Sequence, residues 1–326
     1  MAVRQGDAEA ESAGGRYVES LERALGIPVL RLFDDPDVTE IQVNPDGRVW
    51  VDTHSVGRKA TELTLPGRKA EAFLKRVATE VGETLTEEQH QLQAELPVQR
   101  FMGARLQGGL PPCALGPFFA LRKRPDRVYS LEDYRARGGA SEWAVKAIEY
   151  GIARDLNIAI SGGTGTGKTT LLNAILLAKT RLRPDSRYVV IEEVREVQCA
   201  APNVVQLRTT KHVGMRELLR STLRLTPDYI IVGEVRGAEA LTMLDANSTG
   251  HPGGICTVHA ESPEKALRRL NRLAMQANVP DQSELVADGV NLVVQIDRFA
   301  AGRRITRVAE VKGYGSGGFV IESFAA

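Results

Sequence analysis

The sequence lacks the apolar segments by which a chain enters or crosses a membrane. Its 326 residues contain no uninterrupted apolar run of about 18, the length that a membrane-spanning helix needs. The first residues, Met1–Arg16, are rich in Ala, Gly and Glu and have no apolar core of the kind that signal peptides carry. We therefore expect residues 1–16 to form a disordered tail on a cytoplasmic protein.

Cysteine and net charge are also scarce. The three cysteines, Cys113, Cys199 and Cys256, are far apart and form no C-x-x-C pair, which excludes a recognisable zinc site or disulfide framework. The net charge of +1 provides no overall field that would attract nucleic acid or a membrane, although a local basic patch is not excluded. With 43% hydrophobic and 25% charged residues, the composition is that of an ordinary globular protein, and the length favours two domains.

A glycine-rich stretch, Ser161–Thr170, fits the pattern G-x-x-x-x-G-K-[ST] of phosphate-binding loops. An apolar run, Leu156–Ile160, precedes it and a helix-forming run, Leu171–Leu177, follows it, whereas an ordinary glycine-rich turn needs neither flank. In such loops backbone N–H groups face the phosphates, Lys168 would reach the β- and γ-phosphates, and Thr169 would hold Mg²⁺. The residues expected to bind ATP are Gly162, Gly163, Thr164, Gly165, Thr166, Gly167, Lys168, Thr169 and Thr170.

A cluster of carboxylates follows the predicted strand Tyr188–Ile191. Glu192, Glu193 and Glu196 stand at its C-terminal end, which is where α/β sheets place their ligands. Acidic groups there order Mg²⁺ through water or polarise the attacking water, and we assign the first role to Glu192 and the second to Glu193 and Glu196. The alternative is a solvated, charged turn.

Another apolar strand, Tyr229–Val232, is followed by a single carboxylate, Glu234, in the manner of a Walker B motif. ATP hydrolysis needs a carboxylate near the γ-phosphate to orient and deprotonate water, and we assign this role to Glu234. Many ATPases with a Walker B motif have Asp just before this Glu, where the chain has Gly233. We therefore expect this motif to contact the metal through water rather than directly. The alternative is a surface carboxylate at the end of a strand.

Two histidines, His251 and His259, flank a short predicted strand in the stretch Thr249–Ala260. Their spacing does not suit a closed metal site, because no thiolate or carboxylate partners stand at ligand spacing. A histidine that senses the γ-phosphate is the functional interpretation, and a structural histidine is the alternative. We include both among the candidate nucleotide contacts.

The pattern of elements divides the chain into two domains. From Trp143 to Gln276 strands and helices alternate, which predicts a mainly parallel sheet covered by helices. Before that, a helix over Tyr17–Leu25 and several strands, one over Phe101–Gln107, predict a smaller α+β domain. The polar, turn-rich stretch Pro125–Gly139 separates them. We therefore assign a tail to residues 1–16, the α+β domain to 17–124, a linker to 125–139 and the α/β domain to 140–326.

These motifs, in this order, resemble those of the traffic ATPases of type II and type IV secretion systems. That family carries a phosphate loop, an Asp box, a Walker B ending in Gly-Glu-x-Arg and a His box. The corresponding stretches here are Gly162–Thr169, Ile191–Glu196, Gly233–Arg236 and Gly250–His259. Glu193 stands where the Asp box usually has Asp. The N-terminal half resembles the type IV branch, and the likeness covers about residues 30–312.

The resemblance implies an ATP- and Mg²⁺-dependent ATPase with a RecA-like P-loop domain. It also implies a homo-oligomeric ring, a hexamer, at the inner membrane, where it meets inner-membrane components of a secretion or conjugation machine. In this family the N-terminal domain supplies arginines to a neighbour's phosphates, and Arg105 and Arg122 stand where those arginines would fall. For Arg122, the alternative is a solvated basic run, 122–124.

Three other functions are weighed against this one. A type II secretion or type IV pilus motor is disfavoured by the short chain and by the missing four-cysteine zinc insert. A nucleic-acid translocase is suggested by Arg268, Arg269 and Arg272, but no aromatic residues are interleaved with them for base stacking, and we expect no direct sequence-specific nucleic-acid binding. A nucleotide-gated scaffold that does not hydrolyse ATP is the third.

Overall fold

The computed structural model describes residues 2–53, 55–124, 127–210, 212–299 and 302–324, with side chains from residue 15 onward. The chain forms two compact units, Met1–Asp126 and Arg127–Ala326. Among the described residues, no helix is both long enough and apolar enough to span a membrane.

The first unit contains a six-stranded antiparallel sheet in the order β3-β2-β1-β6-β5-β4. Its strands are β1 (Val38–Val43), β2 (Arg48–Thr53), β3 (Gly57–Thr64), β4 (Gln91–Glu95), β5 (Arg105–Gly109) and β6 (Phe118–Arg122). Its helices are α1 (Ala2–Asp34), α2 (Gly67–Glu80) and the short α3 (Val98–Phe101).

One apolar face of α2 explains why this unit folds. Phe73, Leu74 and Val77 are fully buried and recur at helical spacing, so they lie on one side of the helix. They share a core with buried residues of α1 and of the strands. The opposite face of the sheet carries polar side chains, as a sheet covered on one side requires.

Two predictions for the first unit differ from the structure. Helical backbone begins at Ala2, where a disordered tail over residues 1–16 was expected, because Ala, Glu, Gln and Arg are good helix formers even in a polar stretch. Met1 lies outside the described residues. The predicted strand Phe101–Gln107 starts only at Arg105, because Met102 and Gly103 have φ angles of 51° and 68° and form a turn.

The second unit contains an eight-stranded mixed sheet in the order β14-β13-β12-β7-β11-β10-β8-β9. Its strands are β7 (Ile158–Gly162), β8 (Tyr188–Glu192), β9 (Val204–Arg208), β10 (Tyr229–Val232), β11 (Ile255–His259), β12 (Leu292–Phe299), β13 (Gly302–Gly315) and β14 (Gly318–Ser323). The six strands from β12 to β9 in this order are parallel, and β13 and β14 add antiparallel pairs at one edge. The expected α/β fold with a mainly parallel sheet is confirmed.

Helices cover both faces of this sheet. They are α4 (Leu131–Ala136), α5 (Glu142–Ala153), α6 (Lys168–Leu182), α7 (Met215–Thr222), α8 (Glu239–Ser248), α9 (Pro263–Met275) and α10 (Ser283–Gly289). Successive strand residues point to opposite faces, so Ile158 and Ile160 pack with α4, α5 and α6, whereas Ala159 packs with α7 to α10. Parallel strands buried on both faces explain the continuous apolar runs of the sequence.

The expected linker over residues 125–139 belongs largely to the second unit, which begins at Arg127. Residues Leu131–Ala136 form α4, and Leu131 is buried in the core. Ser130 and Asp133 form a capping box at the start of this helix, which the polar composition of the stretch had concealed. Pro125 and Asp126 lie outside the described residues.

Candidate nucleotide-binding site

The glycine-rich loop connects the end of β7 to the start of α6, as its sequence predicts. Gly165 and Gly167 have φ angles of 72° and 93°, in the left-handed region that favours glycine. A Cβ atom at Gly162 would lie 2.5 Å from the carbonyl oxygen of Ile296, so no other residue fits there. The loop therefore leads the chain directly into the N-terminus of a 15-residue helix, whose free N–H groups favour an anion.

Lys168, the first residue of α6, folds back over this loop. Its Nζ donates hydrogen bonds to the carbonyl oxygens of Gly162 and Gly163, at 3.1 and 3.0 Å. Burial is the main reason that the pKa of Lys168 is lowered; the nearby charge of Glu234 opposes this effect and that of Arg236 adds to it. The ammonium group is thus held at the loop, where a phosphate would replace the two carbonyl oxygens as its partner.

The threonines of the loop differ in exposure. Thr166 is buried and its Oγ1 donates to the carbonyl oxygen of Gly163 at 3.0 Å, which places it in the frame of the loop. Thr164 is exposed, and Thr169 and Thr170 are half-buried in the first turn of α6. Of these, Thr169 and Thr170 stand beside Lys168 at the helix N-terminus, where a nucleotide phosphate and its metal would lie.

Side chains far along the chain support the loop. Arg303, at the start of β13, donates from Nε to the carbonyl oxygen of Gly165 at 3.2 Å. Ser161 donates to Gln295 Oε1, and Gln295 donates to Asp297 Oδ1 at 2.8 Å. No local pattern in the sequence marks Gln295 and Arg303, because 134 and 138 positions separate them from their partners in the loop.

The carboxyl ends of β8 and β10 bring Glu193 and Glu234 together. These strands are parallel neighbours with Ile191 opposite Val232, and each carboxylate follows two residues later. Arg236 donates to Glu193 Oε2 at 2.6 Å and to Glu234 Oε2 at 2.7 Å. The hydrogen bond to Glu234 is the main cause that raises the pKa of Arg236. From the sequence alone, Arg236 was expected only as the last residue of the Walker B stretch Gly233–Arg236.

The environment of Glu192 differs from the one expected for a residue that contacts Mg²⁺ through water. It is 3% exposed, and its Oε1 accepts hydrogen bonds from the backbone N–H groups of Glu196 and Val197, both at 2.7 Å. This carboxylate therefore holds the loop after β8 in place, and a water-mediated role at Mg²⁺ stays a prediction. A Cβ atom at position 233 would lie 3.3 Å from Glu192 Cγ, so a larger residue at the usual Asp position would press on this side chain.

A buried asparagine on α6 completes this loop. Asn173 is 4% exposed; its Nδ2 donates to the carbonyl oxygen of Glu196 at 3.1 Å and its Oδ1 accepts from the backbone N–H of Gln198 at 2.9 Å. The Glu196 side chain itself is half-buried. Asn173 thus ties the helix after the phosphate loop to the acidic loop. A polar residue inside the apolar run Leu171–Leu177 was the signal that could have identified it.

The two histidines lie at opposite ends of β11. His259 is opposite Gly162 in the register of β11 and β7 and is exposed, so it lies beside the phosphate loop. His251 precedes β11, and its Nδ1 lies 3.2 Å from the carbonyl oxygen of Pro227. At about 3.3 Å per residue, β11 alone separates this end from the loop by about 13 Å. The prediction that His251 contacts the nucleotide at this loop is therefore wrong.

Arg105 and Arg122 are direct neighbours in the sheet of the first unit. They face each other across β5 and β6, with Glu95 beside Arg105 and Glu40 beside Arg122 in register. Arg105 is half-buried and Arg122 is exposed. Directly opposite residues of an antiparallel pair share a face, so the structure brings the two predicted arginines together on the polar face of this sheet.

Within the described ranges, no three His, Cys, Asp or Glu side chains are grouped so that they could hold a metal ion. Arg268, Arg269 and Arg272 are exposed on α9, where Arg272 Nε donates to the carbonyl oxygen of Arg268 at 3.4 Å.

Known proteins resemble the chain over most of its length. The family model described as "Type II/IV secretion system protein" matches residues 79–308. The conjugal transfer protein TrbB of Rhizobium radiobacter is 41% identical over 310 residues, 95% of each chain. The type IV secretion system protein PtlH of Bordetella pertussis is 30% identical over 84% of this chain and 90% of its own.

A solved structure shows the same fold. The X-ray structure of the Legionella pneumophila ATPase DotB matches with a TM-score of 0.60, over 88% of this chain and 80% of DotB. At 19% identity this likeness concerns the fold alone.

Proposed function

Because the chain belongs to the type II/IV secretion system protein family, we propose that it is an ATPase that powers type IV secretion or conjugative transfer. The relatives named for conjugal transfer and type IV secretion support this branch over a type II or pilus motor. The observation that carries the proposal is the phosphate loop Gly162–Thr169, with Glu234 at a nearby strand end of the same sheet. We further propose that the second unit is RecA-like.

In the proposed site, the loop binds the triphosphate of ATP. The backbone N–H groups at the start of α6 face the phosphates, and Lys168 exchanges its two carbonyl partners for oxygens of the β- and γ-phosphates. The helix N-terminus and the ammonium group both favour the negative charge. His259 lies at the same edge and is the histidine that would contact the γ-phosphate.

The donor set around the loop also fits Mg²⁺. The hydroxyl group of Thr169, half-buried at the start of α6, and the carboxylate of Glu192 are oxygen groups of the kind that this ion accepts. Thr169 would hold it directly and Glu192 through water. When bound, the ion neutralises charge on the phosphate oxygens.

Hydrolysis requires a base for the attacking water, and we assign that role to Glu234. Its Oε2 is engaged by Arg236, and among the hydrogen bonds of the described residues Oε1 has no partner. A carboxylate held by one oxygen presents the other in a fixed direction, which is what a positioned general base needs. Glu193 and Glu196 polarise or orient the same water.

The assembled form that we propose is a homo-oligomeric ring, a hexamer, on the cytoplasmic side of the inner membrane. There it meets inner-membrane components of the secretion machine. Arg105 and Arg122 would complete a neighbour's site, since paired guanidinium groups neutralise the charge that spreads over the γ-phosphate oxygens. The adjacency of these arginines on one sheet face supports this role.

Phosphate release measured with the purified full chain tests the catalytic assignment. We expect Lys168→Ala to abolish turnover by weakening ATP binding. Glu234→Gln should keep ATP binding but lower kcat by about 10²- to 10⁴-fold, the usual contribution of a general base. Lys146→Ala, at an exposed ion pair of α5, is the control that should behave as wild type. A wild type without ATPase activity, or an unaffected Glu234→Gln, would refute the assignment.

Biological and assembly measurements test the remaining parts. In a conjugation system that lacks its own ATPase, the wild-type chain should restore transfer and Lys168→Ala should not. In analytical ultracentrifugation, ATP with Mg²⁺ should favour a ring. A chain that stays monomeric at every concentration contradicts the ring.

A further inference from the structure

Two negative charges are forced together at the candidate site. Because β8 and β10 are parallel neighbours with Ile191 opposite Val232, Glu193 and Glu234 leave the sheet side by side. Like charges that share one guanidinium partner repel each other, and each is partly shielded from water, at 46% and 30% side-chain exposure. A cation placed between them offsets part of this repulsion.

Arg236 lies between them and uses a different nitrogen for each. One terminal nitrogen is 2.6 Å from Glu193 Oε2, and the other is 2.7 Å from Glu234 Oε2. A planar guanidinium group holds two acceptors in a fixed relation, which a single ammonium group cannot do. This side chain therefore bridges the two carboxylates through separate nitrogens.

The backbone that carries Arg236 is itself fixed. The N–H groups of Arg236 and Gly237 both donate to Oε1 of Glu239, at 2.7 and 2.8 Å, and Glu239 is 9% exposed. Val235 donates to the carbonyl oxygen of Thr257 on β11 at 2.9 Å. The guanidinium group thus extends from an anchored turn rather than from a mobile loop.

We infer that Arg236 is a positioning residue that holds Glu193 and Glu234 together and directs the free oxygen of Glu234 toward the attacking water. This inference rests on the proposed function, because it needs Glu234 to be the base. Arg236 acts through the two carboxylates and does not itself contact the reacting atoms. Removal of its charge leaves two carboxylates that move apart, so the base loses its direction while the phosphate loop is unchanged.

The kinetic test compares Arg236→Gln, Glu193→Gln and the double variant. We expect Arg236→Gln to lower kcat by about 10²-fold, the cost of a misplacement near 1 Å, while the Kd for ATP stays within about twofold of wild type. Glu193→Gln alone should lower kcat, because Glu193 helps to orient the water, but added to Arg236→Gln it should lower kcat much less, because it also removes one of the two repelling charges. Arg236→Lys should have a kcat between those of the wild type and Arg236→Gln, since lysine keeps the charge but not the planar fork of the guanidinium group.

A merely structural role predicts a different pattern, in which the losses of kcat in the two single variants multiply in the double variant. That outcome, or an unchanged kcat in Arg236→Gln, overturns the inference. Arg135→Gln, which removes an exposed ion pair on α4, is the matched control and should keep the wild-type kcat.

A second measurement does not depend on ATP hydrolysis. In the nucleotide-free protein, Glu193→Gln should lower the urea midpoint of unfolding when Arg236 is present and raise it when Arg236 is Gln. A lowered midpoint in both backgrounds refutes the clamp. If the wild type hydrolyses no ATP, the proposed function fails on its own, and this change of sign still decides whether Arg236 holds the two carboxylates.

Discussion

The carboxyl ends and the amino ends of the parallel strands, which we call the carboxyl edge and the amino edge of the eight-stranded sheet, both carry charged side chains. These charges differ in their exposure to water. At the carboxyl edge, which we define by Glu193, Glu234 and Arg236, side-chain exposure ranges from 30% to 57%. At the amino edge, Lys179 is only 1% exposed and lies beside Asp155. Partly exposed ion pairs exchange partners at little cost, whereas a buried one does not. The carboxyl edge is therefore suited to a ligand and the amino edge to stability.

The amino edge is a closed network around Lys179. Its Nζ donates to Asp155 Oδ1 at 2.9 Å and lies 3.7 Å from the ring centre of Tyr229. The hydroxyl group of Tyr229 donates to the same oxygen at 2.8 Å. A Cβ atom at Gly253 would lie 2.6 Å from Nζ, so a larger residue there would displace the ammonium group.

Of the substitutions that distinguish the two edges, Lys179→Met is expected to have the largest effect. This change keeps the apolar stem but leaves Asp155 without its closest cation, and we expect the free energy of unfolding to fall by about 3 kcal/mol. Chemical denaturation of the full chain measures it. Below the unfolding temperature, kcat should remain that of wild type, the opposite of the result expected for Glu234→Gln.

Lys146→Met is the matched control for this change. Lys146 pairs with Glu142 on α5, and both side chains are well exposed, so the expected loss is below about 0.5 kcal/mol. An equal loss in both lysine variants, or a lowered kcat in Lys179→Met at a temperature where it is folded, would remove the distinction between the edges.

A smaller effect is expected from Asn173→Ala, which tests whether the carboxyl edge needs support from α6. The change leaves the backbone groups of Glu196 and Gln198 without their partner, at a cost of about 1–3 kcal/mol. Because it also loosens the loop after β8, kcat should fall while the unfolding midpoint shifts only moderately. Loss of stability with a wild-type kcat would show that Asn173 supports the core alone.

The contrast between the edges explains what the sequence could predict. The phosphate loop and Glu234 were found because each lies next to an apolar strand, and strand ends at the carboxyl edge are local features of the chain. Arg303 and Gln295 were not found, because their contacts depend on where β12 and β13 join the sheet. The order of strands follows from crossovers that periodicity does not encode.

Two wrong predictions have the same origin. His251 and His259 were taken together because they flank one strand, yet a strand carries its two ends apart. The linker over residues 125–139 was inferred from polar composition, although Leu131 anchors a capped helix within it. In both cases the local pattern is present in the sequence, but the position of its residues in the fold depends on packing. Where the pattern is itself the structure, as in Gly162–Thr169, the sequence sufficed.

The pH dependence of stability provides a weaker test of the amino edge. Burial acts to raise the pKa of Asp155, but hydrogen bonds from Lys179 and Tyr229, the charge of Lys179 and a hydrogen bond from Arg183 outweigh it and hold this pKa below its usual value. A carboxylate with a lowered folded pKa stabilises the protein above its unfolded pKa of about 3.9 and loses that contribution as the pH falls through the folded pKa.

We therefore expect the unfolding midpoint of the wild type to fall more steeply below about pH 4 than that of Asp155→Asn, whose side chain does not titrate. Urea denaturation at closely spaced pH values measures both curves. Other carboxylates titrate in the same range, so only the difference between the two proteins is informative. Parallel curves would show that Asp155 contributes nothing to acid sensitivity.

The smallest effect is expected from His251→Ala, and it is the sharpest check on the two ends of β11. His259 lies beside Gly162, so His259→Ala should lower ATP turnover. His251→Ala, in contrast, should keep the ATP affinity and the kcat of the wild type. Nucleotide titration and phosphate release on both variants measure this. If His251→Ala weakens ATP binding as much as His259→Ala does, charge and exposure at the two edges do not separate binding from stability.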